Sequence, residues 1–170
     1  VNPVISDRKW VSDSAWRALA LNLARRQAGL IAGSALVDWA VEALVRGWEG
    51  RALSVLAGLP KPPNEFDVDR FISEFFAELN EPQPLARELA ELHPVLVAAD
   101  IVATRTTPYE ASRELYALWV AEGCSERLAA WGRFDDAYEL ARDGVYGRVE
   151  DVESEIRNEA ARMLEEADPG

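Results

Sequence analysis

Asn64-Glu65-Phe66-Asp67-Val68-Asp69-Arg70-Phe71-Ile72-Ser73-Glu74-Phe75-Phe76-Ala77-Glu78-Leu79 is the stretch whose reading sets the fold class. Its apolar residues recur at three and four positions, with carboxylates and an arginine between them. That is the period of a helix, not the alternation of a strand. Asn64 is a good N-cap type, and Asp67 stands three residues on, where a capping box carries Glu. Upstream, Leu59-Pro60-Lys61-Pro62-Pro63 denies both helix and central strand, so the helix opens at Glu65 and runs to Leu79. Its face of Phe66, Phe71, Ile72, Phe75, Phe76 and Leu79 is too broad for a single neighbour.

The same period holds on both sides. Upstream it predicts a helix from Ser12–Ser14 to about Ala28, a second from Gly33 to Arg46, and a short one from Arg51 to Ala57, closed by Gly29, Gly47 and Gly58. Downstream, Asn80-Glu81-Pro82-Gln83-Pro84 is the clearest break. A helix over Leu85–Leu92 follows and resumes at Val95–Ala103, with Pro94 expected to kink or split it. Thr107-Pro108-Tyr109-Glu110 has the composition of a capping box with proline in the first turn, opening a helix that ends at Gly123. Short helices over Ser125–Trp131 and Phe134–Arg142 come next, then a last helix over Arg148–Ala167. Strand signals are nearly absent. The reading is all-α: one compact multi-helix bundle of about seven to nine helices over 1–170, with 12–80 and 84–168 as its two halves should it divide.

Composition bounds function. The 170 residues carry a net charge of -12, with a single His and a single Cys. One Cys excludes an internal disulfide, and one His leaves too few ligands for a His-rich metal site, so no metal or other cofactor is expected. The charge disfavours nucleic acid and anionic membranes as partners, because phosphate contacts need cations. No stretch is long and apolar enough to span a bilayer, and no secretory leader is visible, so the expected location is cytoplasmic.

The charge is unevenly spread. Up to Asn80 there are ten acids and nine bases; beyond it, twenty acids and nine bases. Glu150, Asp151, Glu153, Glu155 and Glu159 crowd the last helix behind an apolar stripe of Val149, Val152, Ile156, Ala160, Met163 and Leu164. A solvated face accounts for such acids in many proteins. The functional alternative is docking of a basic protein, since such a field selects partner sign and speeds encounter. Trp48, between Gly47 and Glu49, either packs on the prolines at 60, 62 and 63 or serves as an interface anchor.

Catalytic constellations are sparse. Cys124 has no second Cys or His as a base, and the Glu88–Glu91 and Glu150–Glu153 pairs read as solvent-facing charge. Arg87-Glu88-Leu89-Ala90-Glu91-Leu92-His93 resembles the Arg-x4-6-His signature of HEPN-type all-helical ribonucleases. That resemblance implies Arg87 as a phosphate-positioning cation and His93 as an acid–base group near a 2′-hydroxyl. Glu88 stands where that family carries Asn, Asp or His.

A second resemblance spans the chain from about Gly29 onward. Leu36-Val37-Asp38-Trp39-Ala40, Gly47-Trp48, Leu56-Ala57-Gly58-Leu59, Pro63-Asn64, Phe66-Asp67-Val68 and Thr107-Pro108-Tyr109-Glu110-Ala111 resemble a set of small all-helical bacterial proteins of unknown function. It implies fold and no activity. The leading expectation is a non-enzymatic, immunity- or antitoxin-like module that docks a basic partner through its C-terminal half. The alternatives are a ribonuclease using Arg87 and His93, and a homodimeric module burying the Phe66–Phe76 face.

Overall fold

The computed structural model describes Trp10 and residues 13–167. Among them every regular element is helical. In chain order these are α1 (Ser14–Gln27), α2 (Ser34–Val45), α3 (Arg51–Ala57), α4 (Glu65–Glu78), α5 (Ala86–Val102), α6 (Pro108–Ala121), a 3-10 turn (Glu126–Leu128), α7 (Ala129–Arg142) and α8 (Val149–Ala167). The chain is an all-α, multi-helix protein. No described helix is long and apolar enough to cross a membrane. Chain contacts divide it into two compact units, Val1–His93 and Pro94–Gly170. The division falls inside α5, whereas the sequence placed its halves either side of 80–84.

In the first unit α1 opens at Asp13, whose Oδ1 accepts from Ala15 N (2.9 Å) and Trp16 N (3.2 Å). Asn64 likewise accepts from Phe66 N at 2.9 Å, while Asp67 faces Arg70 instead of closing a box. α2 and α3 differ. Each begins after a glycine, Gly33 or Gly50, that has no side chain with which to cap. Their caps come from the two ends of α4. Glu65 Oε1 accepts from Gly33 N at 2.9 Å, and Glu78 accepts from Ala52 N at 3.0 and 3.2 Å. A Cβ on Gly33 would lie 2.7 Å from Glu65 Oε2, and one on Gly50 would lie 2.9 Å from Glu78 Oε2. Glycine is therefore what lets each carboxylate reach the orphan N–H groups of a helix start. Arg26 in the last turn of α1 ties in from the other side, donating to Glu65 Oε2 from Nη2 (2.7 Å) and Nε (3.0 Å) and pairing with Asp69. Helix α4 thus splints α1, α2 and α3.

The core explains why the face of α4 is so wide. Phe75, Phe76, Ile72 and Val68 are fully buried among Leu19, Leu36, Leu53 and Leu56. Phe75 meets Trp39 edge-on (5.7 Å) and stacks on Trp48 (5.9 Å); Phe76 packs with Trp10 and Trp16. The expectation that a second copy covers this face is corrected: the chain covers it with its own helices, and Phe66 of that set is exposed.

Helix α5 runs unbroken through Pro94. Proline in a helix interior costs about 3 kcal/mol. Burial of Leu92, Leu96, Val97 and Ile101, at about 1.5–3 kcal/mol for each large side chain, outweighs it. Glu88, expected in solvent, is buried; its Oε2 accepts from Leu85 N at 2.7 Å and caps this helix.

In the second unit the capping box at Thr107 and Glu110 forms as read, with Glu110 N donating to Thr107 Oγ1 at 3.2 Å. α7 continues through Gly132, where the sequence placed a break. A Cβ there would lie 2.8 Å from the Trp119 ring, so α6 and α7 approach closely because residue 132 has none. Trp131 and Phe134, at 5.4 Å, bury the inner face of α7. Val152, Ile156 and Ala160 seat α8 in the same core.

Candidate functional site

Helix α8 carries the acids that the sequence singled out. Glu150 and Asp151 lie in its first turn, where carboxylates complement the positive end of the dipole. Its buried stripe fixes which acids face outward. Glu153 is half-buried, pairing with Arg157 (3.2 Å) and lying 3.4 Å from Tyr138 Oη. Burial first, then the Glu153 charge, pushes the Tyr138 phenol above its ordinary range. Glu159 is held by Arg162 through contacts of 2.5 and 2.9 Å, and Glu166 pairs with the same guanidinium. These partners raise Arg162 further, the Glu159 hydrogen bond foremost. Glu150 lies 3.5 Å from Arg148.

Three carboxylates differ. Asp151, Glu155 and Glu165 make no ion pair among the described residues. At about 100° per residue they fall within about 80° of one another around the helix axis, along about 21 Å. All three are exposed. Glu155 also borders a shallow groove of about 450 Å³ between α7 and α8, opposite Phe134, Ala137 and Arg133. The same arc holds Arg162, between Glu155 and Glu165, its charge already met by Glu159 and Glu166, so the stripe carries three uncommitted carboxylates around one committed cation.

The other predicted residues are placed apart from it. Trp48 belongs to the first unit and is half-buried among Trp16 (5.2 Å), Trp39 (6.1 Å) and Phe75. Its neighbours there are rings, where the sequence looked to the prolines. Arg87 and His93 share α5 but not a face: six residues of helix turn them about 120° apart. Arg87 is exposed and His93 is 1% exposed, so the structure does not bring them together. Cys124 is exposed at the end of α6 with a positive φ of 63° and no disulfide partner. Among the described residues no three His, Cys, Asp or Glu side chains gather as metal ligands do.

No protein-family model, curated protein or solved structure matches this chain.

Sequence reasoning missed one polar constellation. Arg26, Glu65 and Asp69 line a cleft of about 790 Å³ with Gln27, Gln83 and Leu89. The Gly33 N–H bond, then Arg26, holds the Glu65 carboxyl below the usual carboxylate range. Because these groups satisfy one another, the cluster reads as a clamp between helices. Its sequence signal is a glycine at a helix start with no capping side chain beside it.

Proposed function

We propose that this protein is a non-enzymatic binding module, of the immunity or antitoxin type, that docks a basic protein through the outward face of α8. The observation that carries the reading is the row of Asp151, Glu155 and Glu165, exposed and without ion-pair partners on a helix whose other acids are largely paired. Solvated carboxylates of this kind keep their charge available, and a cationic surface meets them without first breaking internal pairs. Glu150, Glu153 and Glu159 then tune the field, while Trp48 contributes to the first unit's core.

The test is a pull-down from the native lysate with wild type and with Asp151→Lys/Glu155→Lys/Glu165→Lys, at low and high salt. The reading expects one stoichiometric basic partner, lost at high salt and lost in the triple variant. A partner retained equally by the variant overturns it.

A further inference from the structure

Two of the most exposed large apolar side chains in the second unit are neighbours. Val145 is 70% and Tyr146 is 78% exposed, and Leu140 below them is 42% exposed. They form the tip of the turn between α7 and α8, between Gly144 (φ +69°) and Gly147 (φ +77°). Nothing lies within 4 Å of a Cβ at either glycine, so both are there for the left-handed backbone, not for space. The tip is pinned: Val145 N and Tyr146 N donate to the Leu140 carbonyl at 2.9 and 3.2 Å. A connector of two helices needs no apolar tip, and scattered single apolar residues are normal on any surface. An adjacent valine and tyrosine on a backbone already fixed in place are a different case. Little ordering remains for a partner to impose, and tyrosine is among the residues enriched at binding hot spots.

The charge around the tip names the partner's chemistry. Glu139, Asp143, Glu150 and Asp151 flank it along the chain together with Arg142 and Arg148, and both of those guanidiniums are already engaged with carboxylates of this set. An apolar knob flanked by net negative charge complements an apolar pocket inside a cationic rim. We infer that Val145 and Tyr146 are the apolar anchor by which the second unit seats in an apolar pocket rimmed by Lys or Arg on a basic protein. The inference rests on the proposed docking function and adds to it the element that would slow dissociation, where the α8 acids speed encounter.

The experiment uses a defined mimic of that chemistry. An amphipathic peptide with leucines on one helical face and lysines around it is titrated into the full chain by calorimetry. A lysine–alanine peptide of equal charge is the control. Val145→Ser/Tyr146→Ser, checked for unchanged helicity by circular dichroism, is expected to weaken the Lys/Leu peptide about tenfold and leave the Lys/Ala peptide unchanged. Lys/Leu binding unaffected by the double substitution overturns the anchor and leaves docking by the α8 acids standing. Equal weakening of both peptides also overturns it, since no apolar seat is then involved. If neither peptide binds, the anchor falls, while the docking reading is decided separately by the pull-down with the triple variant. Sedimentation of the protein alone covers the remaining occupant: a homodimer that Val145→Ser/Tyr146→Ser dissociates assigns the tip to a second copy and refutes a basic partner there.

Discussion

Replacing Gly33 with alanine should destabilise the first unit, although the backbone there favours alanine. Gly33 sits at φ -58°, ψ -21°, a helical conformation open to any residue. On that ground alone Gly33→Ala would stabilise by about 0.5–1 kcal/mol. The added Cβ, however, would meet Glu65 Oε2 at 2.7 Å, Glu65 Oε1 at 3.0 Å and Val68 Cγ2 at 3.0 Å. The carboxylate must swing away, which removes the cap on α2, worth about 1 kcal/mol. The Arg26–Glu65 pair is half-exposed and adds at most about 1 kcal/mol. Crowding of buried Val68 adds about 1 kcal/mol, the low end for an overpacked methyl. The expected net loss is about 1–2 kcal/mol. The assay is urea unfolding by far-ultraviolet circular dichroism, with amide exchange at Gly33 as the local readout, on wild type, Gly33→Ala, Glu65→Ala and the double variant. With Glu65 truncated the alanine should cost almost nothing, giving a coupling of about 1–2 kcal/mol. An alanine variant as stable as wild type, or one equally costly in both backgrounds, refutes the cap from α4. The carboxylate also predicts a pH signature. Its pKa is depressed in the folded state, so its contribution is complete above the unfolded value near 4.3 and is lost as pH falls through the lower folded value. The gap between wild type and Glu65→Gln should therefore close only under acid conditions.

Gly132→Ala should lower stability by about 1–3 kcal/mol, despite alanine's better helix propensity, because the new Cβ would lie 2.8 Å from the Trp119 ring; a thermal melt with an unchanged or raised Tm would refute the close approach of α6 and α7. Thr104→Gly should raise Tm by about 1–4 °C, because a β-branched residue is held there at φ +54° while its N–H and that of Arg105 close the end of α5; a lower Tm would show that the threonine side chain contributes more than its backbone strain costs.

The local grammar of the chain was legible wherever one segment carried its own signal. The bounds of α3, Arg51–Ala57, and the box at Thr107 needed only neighbouring residues. What was not legible depended on partners distant in sequence. Gly33 and Gly50 look like loop residues until Glu65 and Glu78 arrive, 32 and 28 positions later. Pro94 and Gly132 look like breaks because propensity is local, whereas burial of Leu92 and Leu96 and the bulk of Trp119 are not. The acids of α8 were counted but left unsorted, although the pairs to Arg157 and Arg162 lie three or four residues apart on one helix and are a local signal. Which were spent on Arg157 and Arg162, and which were left over, follows from the helix's rotation about its axis. Arg87 and His93 had the right spacing on paper, but that one is exposed and the other buried was not written in their spacing.

The splint has a temporal side. During synthesis residues 33–57 leave the ribosome before Glu65 and Glu78 exist as free chain. Until then α2 and α3 have no caps of their own, and isolated helices of twelve and seven residues are marginal in water. The N-terminal half of the first unit must therefore wait for its own later residues, and a nascent chain halted before Glu78 still lacks the carboxylate that caps α3.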